Sequence, residues 1–315
     1  MKDAAQPLPP DPHRALEALD RAVAVARVGT ADRPLLVVSR EDFLAASQAS
    51  RDELRARLDI VLMGEHPEEG LDALLETGAL AAILPEVQAL VGFGDGEWRH
   101  KDVWKHTKQV VRQATPRLEV RWGALLHDIG KVKTRSISPD GEVHFFGHAE
   151  VGARMFEKME RRLRLFATDE PLRDTVHFLV LHHLRAAGYD ASWTDSAVRR
   201  FGKEVGPHLD DLLCLSRADI TTKRPEKKRK GLRQIDDLFD RLKKIQEEDA
   251  VVPPLPKGLG NGLMTALGIP PSPRIGQLMR AIEGAVDAGE IPGHQDVGFY
   301  VEHVQSNRAK YGLAD

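Results

Sequence analysis

The stretch Arg-Trp-Gly-Ala-Leu-Leu-His-Asp-Ile-Gly-Lys, Arg121 to Lys131, decides how the rest of the chain is read. An apolar run, Trp122–Leu126, is closed by a histidine and an aspartate side by side, and a glycine and a lysine follow. Thr115 and Pro116 upstream supply an N-cap and a first-turn proline, so the segment reads as a helix with His127 and Asp128 at its C-terminal end. Outward from it the same period recurs. "RALEALDRAVAVARVG", "RDELRARLDIVLMG", "DVWKHTKQVVRQAT", "HAEVGARMFEKMERRLRLF", "LRDTVHFLVLHHLRAAG", "DSAVRRFGKEVG", "HLDDLLCLSRADI" and "LRQIDDLFDRLKKIQEE" all carry apolar residues at helical spacing. "EEGLDALLETGALAAILPEV" reads as two short helices broken at Gly78, and Ser39 before "REDFLAA" as a helix start. The one plausible strand is in "RPLLVVSREDF", although "LLVV" could equally enter a helix, and "SPDGE" marks a turn for a short hairpin within Val132–Gly147. The expected class is all-α.

Composition narrows the functions. The 315 residues are 42% hydrophobic and 30% charged with a net charge of −3, a globular chain without a global basic field. The single cysteine, Cys214, excludes disulfide scaffolds and cysteine-rich zinc sites. The N-terminal segment has no apolar core of the kind a signal peptide needs, and the longest apolar runs are far too short to cross a bilayer, so the expected place is the cytoplasm, with no membrane partner.

Thirteen histidines are present, several inside apolar helical segments. His106 follows "DVWK", His127 precedes Asp128, His148 opens a helix after "FFG", His182 and His183 close "FLVL", and Asp219 ends "CLSRA". Imidazole and carboxylate are the usual ligands of first-row divalent metals. Neighbours on a helix point about 100° apart, so His127 and Asp128 bracket an ion only if other helices close the cage. His13, His66, His144, His208 and His303 are assigned to the surface, and His100 and His177 to no site.

The order His, His-Asp, His, His-His, Asp resembles the HD superfamily of metal-dependent phosphohydrolases, whose pattern is H…HD…D. On that pattern His106, His127, Asp128 and Asp219 are metal ligands. His148 and one of His182 and His183 resemble the extra ligands of members that hold two or more metals. "EHPEEGLDALLETGALAAILPEV", "DVWKHTKQV", "RWGALLHDIGK", "FFGHAEVGA", "SRADITTKRPEKKRK" and "LMTALGIPPSPRIGQLMRAIE" resemble, in order, the C-terminal part of bacterial CCA-adding enzymes (tRNA nucleotidyltransferases) that carry an HD domain. The nucleotidyltransferase head of those enzymes carries a D-x-D metal pair, which this sequence lacks, and the first fifty residues are too short for such a head. The resemblance therefore implies an HD-domain helical bundle with a helical neck and a small helical C-terminal tail. The expected division is an N-terminal extension over 1–50, partly disordered; a neck over 51–97; the HD domain over 98–250; and a C-terminal unit over 251–315.

The implied chemistry is hydrolysis of nucleotides or RNA ends, of 2′,3′-cyclic phosphodiesterase, 2′-nucleotidase or phosphatase type. The implied cofactor is one divalent ion or a pair, from Mn, Ni, Co, Fe, Zn or Mg, with Asp128 bridging. Lys131, carried over because "HDIGK" recurs in the family, is the phosphate-stabilising cation, and Arg200 a second phosphate clamp. The basic run Lys223, Arg224, Lys227, Lys228, Arg229 and Lys230 follows Asp219 within a few residues and suits RNA or a polyphosphate, tRNA included. It is expected as a linker. The alternative is a non-catalytic RNA-binding module derived from a CCA-adding enzyme, or a protein related to the tRNA nucleotidyltransferases.

Overall fold

The computed structural model describes residues 9–30, 34–94, 102–250 and 253–313. His100, Trp98 and the end of "GFGDGE" lie outside them. Among the described residues the fold is helical with one two-stranded hairpin. The helices are α1 (Pro12–Val28), α2 (Arg40–Ala49), α3 (Arg51–Met63), α4 (Pro67–Glu76), α5 (Ala79–Ile83), α6 (Pro85–Gln88), α7 (Val103–Gln113), α8 (Leu118–Leu126), α9 (Lys131–Thr134), α10 (His148–Leu163), α11 (Glu170–His182), α12 (Asp195–Val205), α13 (Leu209–Ala218), α14 (Pro225–Ala250), α15 (Leu259–Leu267), α16 (Pro273–Asp287) and α17 (Val297–Ser306). No helix among the described residues is long and apolar enough to cross a membrane.

The residues fall into two compact units, 1–243 and 244–315. α1 packs on α2, α3 and α4 through a face of small residues. A Cβ on Gly70 of α4 would meet the Ala26 methyl at 2.6 Å, so the close approach of these two helices depends on that glycine.

α8 is the axle of the first unit. Val120 to Leu126 are all buried, because α3, α7, α11 and α13 surround the helix. A helix apolar on every side is stable only when enclosed in this way. Two polar anchors set its position. The buried Arg121 donates to the Leu62 and Ala114 carbonyls at 2.6 and 2.9 Å. The Trp122 indole N–H donates to Asp59 Oδ1 at 2.7 Å, and the same carboxylate takes Arg55 Nε at 2.7 Å. Trp122→Phe removes the N–H and part of the ring volume at this fully buried position, leaving the Asp59 carboxylate short of a donor and a small cavity beside Phe166. We expect a loss on the order of 2 kcal/mol or more, read from the urea midpoint at unchanged slope.

Four sequence readings are corrected. Residues 34–39 form no strand; they run as irregular chain, with the Val38 N–H on the Thr77 carbonyl. α8 begins at Leu118 with Arg117 as its N-cap, not at Thr115–Pro116, because Arg117 is extended and its N–H closes on the Thr115 carbonyl. The basic stretch is not a linker: from Pro225 it is the first turns of α14, since proline fits a first turn, and the helix runs on through Gly231. The histidines assigned to the surface are half-buried at 66, 144, 208 and 303. The hairpin expected around "SPDGE" is present as β1 (Ser136–Ile137) and β2 (Val143–His144), antiparallel.

The second unit has its own core of Leu259, Leu263, Leu278, Ile282, Tyr300 and Val304. The buried Tyr300 hydroxyl lies 3.1 and 3.0 Å from the Pro254 and Pro292 carbonyls and ties loop to helix.

Candidate metal centre

α8 ends at Leu126, and His127 and Asp128 form the turn that leaves it, each 1% exposed. α7 brings His106, the N-terminus of α10 brings His148, the C-cap of α11 is His183, and the C-cap of α13 is Asp219. These six side chains meet. Asp128 Oδ2 lies 3.5 Å from His106 Nε2 and 3.3 Å from His127 Nε2, while Oδ1 lies 3.5 Å from His148 Nε2 and 4.0 Å from His183 Nε2. Asp219 Oδ1 closes the first group, 3.0 Å from His106 Nε2 and 3.7 Å from His127 Nε2. Two groups able to hold a metal ion result, His106–His127–Asp128 and Asp128–His148–His183, with Asp128 common to both.

The outer nitrogens explain why the inner ones face inward. The Nδ1 atoms of His127, His148 and His183 lie 2.8, 2.8 and 2.9 Å from the carbonyls of Ala124, Phe145 and Val180, each three residues back. A carbonyl only accepts, so each Nδ1 carries a hydrogen and each Nε2 is left to the cluster. His106 Nδ1 lies 3.0 Å from Thr221 Oγ1, a partner sequence reasoning missed. Thr221 is buried and follows Asp219 by two residues, yet nothing in "ADITTK" sets it apart from Thr222.

The donor set fits a cation. His148 Nε2 and His183 Nε2 are 3.1 Å apart. Burial lowers the pKa of both imidazoles, that of His183 to about 4 with His127 adding to the effect. Two neutral rings with both Nδ1–H groups engaged point lone pairs at each other, an arrangement that a shared cation relieves. In the other half, burial opposes charge on His127, but the carboxylates of Asp128 and then Asp219 turn its shift upward. Burial likewise opposes charge on Asp128 and Asp219. Contacts with His127, Lys131 and His106 hold Asp128 well below the usual carboxylate range, and those with His106 and His127 bring Asp219 to about 2. The field between the two carboxylates favours positive charge, as a divalent ion requires.

Lys131 starts α9 with its Nζ 2.6 Å from Asp128 Oδ2 and 5.6 Å from the Phe145 ring centroid, at the edge of the cluster. His182 stands apart from it: its ring packs 4.4 Å from Phe178, so of the neighbouring pair it is His183 that joins. Arg200 is also apart, on the exposed side of α12 with its side chain 76% exposed and Glu204 at 4.0 Å. The six cations from Lys223 to Lys230 are exposed, and among the described residues none is ion-paired with a carboxylate; Lys228 Nζ lies 3.5 Å from Gln113 Oε1 of α7. Cys214 is a half-buried thiol on α13.

Comparison with known proteins agrees with this geometry. The HD domain family matches residues 102–224. The chain is 31% identical over 259 residues to the A-adding tRNA nucleotidyltransferase of Deinococcus radiodurans, covering 80% of this chain and 57% of that protein. It is 28% identical over 268 residues to the CC-adding tRNA nucleotidyltransferase of Thermus thermophilus, covering 82% and 58%. With the Multifunctional CCA protein of Azoarcus sp. it shares 38% identity over 109 residues, 33% of this chain and 26% of that protein. The chain thus spans less than three fifths of the length of these relatives. Residues 102–224, which hold the whole cluster, belong to the HD domain family, and over its HD and C-terminal region the chain is homologous to the CCA-adding tRNA nucleotidyltransferases.

Proposed function

We propose that this chain is a metal-dependent phosphohydrolase or phosphodiesterase acting on nucleotides or RNA ends, of 2′,3′-cyclic phosphodiesterase, 2′-nucleotidase or phosphatase type. The observation that carries the reading is Asp128, whose two carboxylate oxygens face two separate sets of imidazoles. A carboxylate so placed suits a pair of divalent ions, with His106, His127 and Asp219 on one side and His148 and His183 on the other. When bound, such a pair supplies Lewis acidity to a phosphoryl group and acidifies water. The protein's own part is to hold the ligands from behind, through the Ala124, Phe145 and Val180 carbonyls and Thr221. Lys131, beside Asp128 at the edge of the cluster, is the cation we assign to stabilising charge on the phosphate.

The test is hydrolysis of 2′,3′-cyclic AMP by protein stripped with chelator and then given Mn, Ni, Co or Mg in turn. Activity should return with at least one metal. Stoichiometric metal binding without turnover of cyclic, 2′- or 5′-phosphates would reject the reading.

The relatives are named for addition to tRNA, and this favours RNA, tRNA included, as the substrate or partner. The basic turns of α14 support it. Cations at a helix N-terminus act against the helix dipole, so six of them around one start are a cost that an RNA backbone offsets. Their chain follows Asp219 and Thr221 directly, and Lys228 lies against α7, the helix of His106. Neutralising Lys227, Lys228, Arg229 and Lys230 together should lower affinity for an RNA substrate on the order of ten-fold or more at low salt and flatten its salt dependence. Hydrolysis of a small chromogenic phosphate ester should change far less. A non-catalytic RNA-binding module would show the first effect with no hydrolysis at all.

A further inference from the structure

We infer that a cavity of about 520 Å³ in the segment that follows α11, walled by Arg185, Trp193, Thr194, Arg200, Phe201 and Glu204, is a nucleotide-binding subsite that takes a base and its phosphate. The inference rests on the phosphohydrolase reading for its role: the subsite would hold the nucleotide next to the one whose phosphate is cleaved.

The place of the cavity follows from α11. His183, the C-cap of that helix, faces the cluster, and Arg185 follows two residues later with its N–H on the His182 carbonyl. Arg185 and Glu204 are also among the charged groups that act on the His182 imidazole, together with Glu150 in the first turn of α10. His183 of the cluster and Arg185 of the cavity thus both leave the C-terminal end of α11, two residues apart.

Its chemistry is that of a nucleotide site. Trp193 is half-buried and set edge-on to the rings of Tyr189 and Phe201, at 5.5 and 5.8 Å, which holds the indole upright at the wall. Tyr189 in turn is buried and donates its hydroxyl to Asp237 of α14 at 2.5 Å. The platform is thus braced from behind rather than loose. The Arg185 guanidinium lies 5.3 Å over the Phe201 ring and is ion-paired with Glu204. Arg200 stands 4.0 Å from the same carboxylate, with its side chain 76% exposed. Two guanidinium groups share one carboxylate, so the cavity keeps a net positive charge. Such a pair favours an anion, the guanidinium fork suits phosphate oxygens, and an aromatic wall accepts any base by stacking. This gives Arg200, which sequence reasoning took for a phosphate clamp at the metal, a phosphate of a different nucleotide to meet. Trp193 supplies the stacking face of the site.

The test is calorimetric titration of the full chain, stripped of metal, with 5′-AMP and with inorganic phosphate. AMP should bind roughly ten-fold tighter than phosphate, the scale of one stacked base. Trp193→Ala should bring AMP close to phosphate, and Trp193→Phe should restore most of the difference. Arg200→Gln, at an exposed position where folding is not at risk, should weaken AMP several-fold. Equal affinity for AMP and phosphate in the unaltered protein would overturn the subsite. So would variants at both Trp193 and Arg200 that bind AMP like the unaltered protein. The readout is binding without metal, so a protein that fails to hydrolyse any phosphate ester loses the phosphohydrolase reading but not this measurement.

Discussion

Asp128→Ala is expected to abolish divalent-metal binding in both halves of the cluster at once. Its Oδ2 lies within 3.5 Å of His106 and His127, and its Oδ1 faces His148 and His183, so one side chain serves both groups. Loss of a partner that merely orients a ligand costs 10- to 100-fold in affinity as an order of magnitude, and a shared ligand must cost more than about 100-fold. His106→Ala and His183→Ala should each spare the opposite half. Titration of chelated protein with Mn or Ni, read as sites per chain, separates these outcomes. The metal-free fold should survive the Asp128 change, because Lys131 is 22% exposed and can turn to water. Near-full metal stoichiometry in Asp128→Ala would remove the bridging role.

Gly130→Ala should be the most damaging glycine-to-alanine change among the described residues. The residue has φ −70°, so conformational freedom is not the reason for the glycine. A Cβ there would meet the His148 carbonyl oxygen at 2.0 Å and the Gly152 N at 2.6 Å. Both atoms are backbone, in the first turns of α10, and no rotamer change relieves the overlap. Either the turn after Asp128 or the start of α10 must move, and each carries a ligand. Overpacking of this kind costs about 1–3 kcal/mol. We expect a loss of at least that size in urea unfolding, and loss of the His148–His183 half of the metal stoichiometry with the His106 half retained in part. Gly123→Ala offers a milder comparison, since its Cβ would meet the Leu179 side chain at 2.9 Å, and a side chain can yield. If Gly130→Ala were no worse than Gly123→Ala, the close approach of the turn to α10 would not be what the glycine provides.

Much of the site was legible before any coordinates because its parts are local. A histidine at a helix end reaches back to the carbonyl three residues earlier, as His127 does to Ala124 and His183 to Val180. That geometry needs only the helix and its last turn, and the apolar runs "GALL" and "FLVL" announce both. The same logic locates His148 at the start of a helix after a glycine, here Gly147 with φ +70°. Mistakes arose where a local signal competed with a longer contact. "LLVV" has strand propensity, yet residues 34–39 pair with no strand among the described residues, and the Val38 N–H goes to the Thr77 carbonyl instead. "KRPEKKRK" looked like a solvated connection because like charges repel, but the helix begun by Pro225 is held by the apolar seam Ile235, Leu238 and Leu242 further along.

By itself, then, the order of residue types along the chain determined that this protein is helical, that its metal-type ligands are imidazole and carboxylate rather than thiol, and that a histidine–aspartate pair ends the central helix. Those properties follow from periodicity, capping and composition, which act over a few residues. Only the tertiary structure decided that His183 and not His182 joins the cluster, that Asp128 divides its two oxygens between two sets of rings, that Thr221 stands behind His106, and that Arg200 belongs to a different cavity. Each of these depends on the angle and distance at which helices far apart in sequence pack, and that is set by side-chain volumes such as the missing Cβ atoms of Gly123, Gly130 and Gly152, not by any pattern within one helix.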